Sequence, residues 1–257
     1  LALWANYFII APATANTLSK MASARADNLL IATYLSAKCP VFFAPAMDLD
    51  MHKNKANELN INKLIDFGNI HIPVNSGFLA SGLEGEGRMQ EPNQIIDFVS
   101  NYILKQQKLY GKKVLITAGP TYEAIDAVRF IGNFSSGKMG FALAKIAANL
   151  GAEVFLITGP TSLSVKNNRI KSFHITSADE MFKISSDLFL KSDIAIMSAA
   201  VSDFKPKKAK KNKIKKESNG NLTIDLVSNI DILKHLGSIK KTNQLLIGFA
   251  LESDNEV

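Results

Sequence analysis

Short apolar runs that stop at small or proline-bearing turns recur along this chain and alternate with helical patterns. No other feature restricts the fold as much. The runs cover residues 8–11, 41–44, 70–74, 114–117, 154–158, 173–175, 194–197 and 245–249. Helical periodicity occupies 18–35, 94–105, 137–150, 178–190 and 231–237, with helix starts at Ser177/Glu180 and at Asn229/Asp231. Apolar strands joined through helices predict an α/β fold, with parallel sheets covered on both faces. Around Lys105 to Gly111 a helix runs out before a new first strand begins, which predicts a front domain over 1–108 and a back domain over 109–257.

The segment KVLITAGPTYEAIDAVRFIGNFSSGKMGFAL, Lys113 to Leu143, carries the most chemistry. Its strand ends in Ala118-Gly119-Pro120-Thr121, and Asn133 to Gly140 then opens a helix. Small residues there let backbone N–H groups and hydroxyls approach a phosphate, and the helix N-terminus favours negative charge. A dinucleotide-binding module would carry GxGxxG directly after the strand. Here the glycines follow an inserted Thr-Tyr-Glu-Ala-Ile-Asp-Ala-Val-Arg segment, which argues against an NAD-dependent oxidoreductase. A plain turn needs small residues too, but the combination of GPT, Glu123, Asp126, Arg129, Asn133 and SSGKMG is far more specific.

Composition excludes several classes. With 47% apolar residues in 257, a sizeable core is expected, and no apolar run reaches the roughly 18 residues of a membrane span. A single cysteine, Cys39, excludes a disulfide framework and fits a reducing cytoplasm. The net charge of +7 is concentrated in KPKKAKKNKIKK, Lys205 to Lys216, and the rest of the chain is close to neutral. Without interleaved aromatics this run fits a polyphosphate ligand better than nucleic acid. Most of its lysines are expected to be solvated. Leu1 enters a strand at once and the chain stops where a helix would begin, so a fragment of a longer protein is expected.

The back-half signature resembles that of phosphopantothenoylcysteine synthetase, the CTP-dependent ligase of coenzyme A biosynthesis. The front half resembles the back part of the flavin-dependent phosphopantothenoylcysteine decarboxylase, to which that ligase is fused in bacteria. The resemblance implies two Rossmann-like parallel-sheet domains, an incomplete flavodoxin-like flavoprotein domain followed by a ligase domain. It implies FMN in the front half, Mg²⁺ with CTP as substrate in the back half, 4′-phosphopantothenate and L-cysteine as further substrates, and a homo-oligomer. No set of protein ligands for Mg²⁺ can be named from sequence, so the metal is expected to arrive on CTP. A non-catalytic member that binds a partner flavoprotein is the alternative. Retention of Asn133 and of Lys213-Ile214-Lys215-Lys216 argues against it.

The resemblance also assigns residues. In the front half, Ala11-Pro12-Ala13-Thr14-Ala15-Asn16-Thr17 places Thr14 and Asn16 at the flavin, and Ala44-Pro45-Ala46-Met47-Asp48 with Met51 lines the substrate site. A flap from Ser76 to Met89 brings Arg88 to an anionic group and puts Ser81 where the family commonly has a proton-donating cysteine. The family's histidine would precede Leu1. In the back half, Asn133 binds the acyl-cytidylate beside Ser135, Ser136 and Gly137. Ala199, Ala200, Val201 and Asp203 contact the nucleotide, and Lys213 meets the triphosphate with Lys215 and Lys216 beside it. Asn229, Ile230, Asp231, Ile232 and Leu233 hold the nucleotide through backbone N–H groups, and Phe249 packs on the cytosine.

Overall fold

The computed structural model describes residues 2–78, 81–82, 84–215 and 222–250. The chain divides into two compact units, Leu1–Ile103 and Leu104–Val257.

In the first unit, strands β1 (Phe8–Ala13), β2 (Val41–Pro45) and β3 (Ile70–His71) form a parallel sheet in that order. Helices α1 (Ala15–Ser23), α2 (Leu29–Ser36), α3 (Leu49–Lys53) and α4 (Lys55–Asp66) lie between these strands in sequence. A hairpin of β4 (Asn75–Phe78) and β5 (Glu84–Arg88) precedes α5 (Pro92–Lys105). β2 is buried along its length because both its faces are covered. Val41 and Phe43 pack with Leu18, Met21, Ile31 and Leu64. Phe42 and Ala44 pack with Ile72, Ile95 and Val99 of the opposite layer.

The predicted helix over 18–35 is two helices. Ala24 takes a left-handed conformation (φ 56°) that ends α1, and Asn28 caps α2 by accepting from the Ile31 N–H at 3.0 Å. The predicted strand over 70–74 is cut short where Pro73 offers no N–H to the ladder. Helices α3 and α4 were not predicted; Asp48 and Asn54 cap them.

The second unit contains β6 (Lys113–Ala118), a small ribbon of β7 (Tyr122–Ala124) and β8 (Phe130–Gly132), α6 (Lys138–Asn149), β9 (Glu153–Thr158), β10 (Ile170–His174) and α7 (Ala178–Phe189). It continues through β11 (Ile194–Met197), the ribbon β12 (Phe204–Pro206) and β13 (Leu226–Ser228), α8 (Ile232–Ile239) and β14 (Leu245–Gly248). The main sheet is parallel in the order β10-β9-β6-β11-β14. Val114, Ile116 and Ala118 of β6 face Phe141, Ala144 and Ala147 of α6. Leu115 belongs to the opposite layer, with Met181 and Phe189 of α7 and Ile232 and Leu236 of α8. Burial of each large side chain there contributes about 1.5–3 kcal/mol. β10 begins three residues before the predicted run because Lys171 and Ser172, exposed on an edge strand, break the apolar pattern.

Candidate active site

From β6 the chain steps outward through β9 to β10, then returns to the other side of β6 through β11 and β14. Such a reversal leaves a crevice at the carboxyl ends of the two central strands, β6 and β11, where open α/β sheets bind ligands. A cavity of about 530 Å³ opens there. Thr117, Met197, Ala199, Val201, Ser202 and Asp203 line one part, and Asn229 to Leu233, Phe249 and Ala250 line the rest.

Backbone and hydroxyl groups fix these walls. The Ser198 hydroxyl donates to the Thr117 carbonyl at 2.6 Å, and the Ala199 N–H donates to Thr117 Oγ1 at 3.2 Å. Ala200 lies behind the wall in a bridge with Pro120, and its N–H donates to the Gly119 carbonyl at 2.9 Å. The Ser202 N–H reaches Thr121 Oγ1 at 3.0 Å. Asn229 joins the two parts of the wall: its side-chain amide donates to the Ser202 carbonyl and its N–H to the Asp203 carbonyl, both at 2.7 Å. Asp231 caps α8 through the Lys234 N–H at 2.9 Å, which occupies one oxygen of that carboxylate.

Asn133 is exposed at the end of β8, and its side-chain amide donates to the Val201 carbonyl at 3.0 Å. The residue that caps α6 is Gly137, in the left-handed region at φ 76° and without a side-chain cap bond. Ser135 Oγ accepts from the Gly137 N–H at 3.3 Å, and Thr161 Oγ1 holds the Ser136 carbonyl at 2.9 Å. The turn after β9 packs so closely that a Cβ on Gly159 would lie 1.6 Å from the Pro120 carbonyl oxygen. Three small-residue turns therefore converge at the N-terminus of α6, whose free N–H groups favour an anion.

The lysine run is anchored rather than loose. The Lys207 N–H donates to the Asp225 carbonyl at 2.9 Å and the Lys210 N–H to the Ile125 carbonyl at 3.0 Å. Lys205, expected to be solvated, instead pairs with both oxygens of Asp179 at 2.7 Å. Lys213 and Lys215 are exposed and are absent from the cavity lining, while Lys216 lies outside the described residues. Between them, Ile214 is gripped by Asp126 and Arg129. The Arg129 guanidinium, followed by the Ile214 N–H, holds the Asp126 carboxyl well below the usual carboxylate range. Asp126 and Arg129 stood in the signature without an assigned role. Nothing in local sequence links them to a loop more than 80 residues away. Glu123, from the same segment, is buried and accepts the first N–H of α7, that of Ala178, at 2.8 Å.

In the first unit, Thr14 caps α1 through the Thr17 N–H at 3.3 Å, and Thr14 and Asn16 are exposed at the carboxyl end of β1. A cavity of about 400 Å³ brings Asp48 and Arg88 together with Ala46, Met47, Phe78, Gly87 and Met89. Asp48 accepts from the Leu49 N–H at 2.7 Å, which offsets part of its charge, and Arg88 pairs with Glu91 at 2.7 Å. Met51 is half exposed outside that lining, and Ser81 is exposed at the tip of the β4–β5 hairpin. Burial, and next the neighbouring His52, push the His71 imidazole below its ordinary value.

Residues 109–257 match the family model described as the DNA/pantothenate metabolism flavoprotein C-terminal domain, and residues 1–104 match the flavoprotein model. The chain is 51% identical over 261 residues to a cysteine/cysteine sulfinic acid decarboxylase of an unknown prokaryotic organism, covering 100% of this chain and 72% of that one. It is 44% identical over 254 residues to the coenzyme A biosynthesis bifunctional protein CoaBC of Bacillus subtilis (strain 168), covering 98% of this chain. The chain spans 62% of that relative's length. Among solved structures, the C-terminal domain of a CoaBC protein aligns with a TM-score of 0.50 at 46% identity, covering 57% of this chain and 68% of that one. Among the described residues, no helix is long and apolar enough to cross a membrane, and no group of three or more His, Cys, Asp or Glu is placed to hold a metal ion.

Proposed function

We propose that this chain, which belongs to the DNA/pantothenate metabolism flavoprotein family together with the coenzyme A biosynthesis bifunctional proteins, ligates 4′-phosphopantothenate to L-cysteine at the expense of CTP. The carrying observation is the 530 Å³ cavity at the strand reversal, with one wall tied to Asn133 through Val201. In the first step a carboxylate oxygen of 4′-phosphopantothenate attacks the α-phosphorus of CTP, and the bond to pyrophosphate breaks. In the second, the cysteine amine attacks the acyl carbon of the acyl-cytidylate, CMP leaves with the bonding pair, and the ammonium proton passes to solvent. Both steps build charge on oxygen, so fixed donors and cations serve them without a protein nucleophile.

In this reading Phe249, Ala199 and Val201 hold the cytosine, with Ala200 supporting that wall from behind, and Asp203 lies at the ribose. The N-terminus of α6, Ser135 and Ser136 receive a phosphate or the developing oxyanion with Asn133. Lys213 and Lys215 meet the triphosphate, and Mg²⁺ enters with CTP. Incubation without cysteine tests the reading: mass spectrometry should detect the acyl-cytidylate and an equal amount of pyrophosphate. Pyrophosphate release without an acyl-cytidylate would contradict it.

The first unit is read as the flavoprotein half, which decarboxylates the ligase product to 4′-phosphopantetheine. FMN, when bound, supplies two-electron redox chemistry. The hydroxyl of Thr14 and the amide of Asn16, exposed after β1, form a donor set suited to a polar edge of that group. Arg88 would pair with an anionic group of the substrate, and Ser81 occupies the flap tip. A homo-oligomeric assembly is part of the proposal. The relative named for cysteine and cysteine sulfinic acid supplies a second reading, in which this unit acts on free cysteine. Comparison of carbon dioxide release from cysteine and from phosphopantothenoylcysteine separates the two.

A further inference from the structure

We propose that Asp126 is a positioning residue for the lysines that meet CTP, acting through the backbone of Ile214; this rests on the ligase reading of Lys213. Ile214 lies between Lys213 and Lys215, and both its polar backbone groups are held. Its N–H donates to Asp126 Oδ2 at 3.0 Å, and its carbonyl accepts from Arg129 Nη2 at 2.9 Å. The Asp126 side chain is wholly buried. Its Oδ1 accepts from the N–H groups of Val128 at 2.8 Å and Arg129 at 2.9 Å, and its Oδ2 also takes Arg129 Nε at 3.0 Å. A buried carboxylate with this many donors is a rigid point of attachment.

The position of that point gives it a function. Asp126 lies in the turn between β7 and β8, and β8 runs directly into Asn133. One short segment therefore registers both the Asn133 turn and the lysine run, although Asp126 and Ile214 are 88 residues apart. A lysine on a long flexible stem loses much freedom when it binds a phosphate, and a fixed backbone removes part of that cost before the ligand arrives. Without the anchor, the competent loop is populated only fractionally and apparent CTP affinity falls by that fraction. At saturating CTP the loop is refilled, so the effect falls on KM rather than on kcat.

The test compares the wild type with Asp126→Asn, which keeps the shape but removes the charge and turns a donor towards the Ile214 N–H or Arg129. Amide hydrogen exchange at Ile214 should speed by about tenfold or more, with KM for CTP raised about tenfold and kcat within about threefold. Ile214→Pro deletes the donated N–H from the loop side and leaves the Asp126–Arg129 pair intact. It should give the same change in KM, and it decides the matter if Asp126→Asn fails to fold. Unchanged exchange at Ile214, or an unchanged KM in either folded variant, overturns the proposal. A wild type that does not turn over CTP contradicts the ligase reading itself, and the anchor role falls with it. Normal wild-type turnover with an unaltered KM in the variants contradicts the anchor alone.

Discussion

The side-chain amide of Asn133 donates to the carbonyl of Val201 at 3.0 Å, joining two turns that lie 68 residues apart in sequence. The bond ties the turn before α6 to Val201, which lines the 530 Å³ cavity, and in the proposed reaction the same neutral amide would serve as a donor to the developing oxyanion. Asn133→Asp places a carboxylate against that carbonyl. Because Asn133 is exposed, thermal unfolding should report a loss of only about 0.5–1.5 kcal/mol. Turnover should fall by about 10²–10³, the usual cost of removing a preorganised oxyanion donor. Wild-type turnover in this variant would remove Asn133 from the chemistry.

Lys213 should differ from its neighbours. One ammonium held against a triphosphate in a partly dehydrated site outweighs several screened ones in water. Lys213→Gln should therefore cripple turnover, while Lys208→Gln and Lys210→Gln change kcat/KM by less than about threefold at physiological salt. Lys210 is anchored through its backbone N–H, which that substitution keeps. Equal losses at the three positions would mean that the run acts as a diffuse field.

The alternation of apolar strands with helices made the α/β class legible, since a parallel sheet buried on both faces leaves that pattern. The wall residues from Ala199 to Asp203 and from Asn229 to Leu233 were legible as motifs, and the fold gathers most of them around one cavity. Other features were hidden because long-range geometry decides them. The ribbons β7–β8 and β12–β13 are three residues per strand, too short for a periodic signal. The break between α1 and α2 depends on a left-handed Ala24, a conformation that few non-glycine residues adopt. The partnership of Asp126 with Ile214 joins residues 88 apart and becomes visible only when the chain is folded.

Acid should act on the two units at different pH. His71 is held below its ordinary value of 6.5 by burial, so the unfolded chain takes up a proton there first. Its contribution is full above about pH 6.5 and declines as pH falls towards the folded value. Asp126 and Asp193 are also depressed, Asp126 by Arg129 and Asp193 by the Lys113 N–H. Their contributions are present above the ordinary carboxylate value of 3.8 and are lost only as pH falls below it. Urea midpoints from pH 8 to 5 should decline for the first unit, and His71→Gln should flatten that decline. An identical slope in the variant would contradict the assignment.

Ser81 sets the expectation for the decarboxylase half. In the proposed decarboxylation, the substrate would pass two electrons to FMN and regain them after loss of carbon dioxide, and the enethiol left between would also need a proton. A serine hydroxyl is a far weaker acid than a thiol of pKa about 8.5. In flavin-loaded protein that also carries the segment with the family's histidine, Ser81→Cys should therefore speed conversion of the enethiol to 4′-phosphopantetheine, followed by mass spectrometry in single turnover. Equal rates for the two forms would remove the flap residue from the proton transfer.

A CTP-dependent ligase site at the carboxyl ends of β6 and β11 fixes the nucleotide balance of a reaction containing CTP, 4′-phosphopantothenate, L-cysteine and Mg²⁺. One CMP and one pyrophosphate should appear for each 4′-phosphopantothenoylcysteine formed, and no CMP should appear when 4′-phosphopantothenate is omitted. Absence of CMP in the complete mixture, or release of CDP and phosphate in its place, would contradict the account.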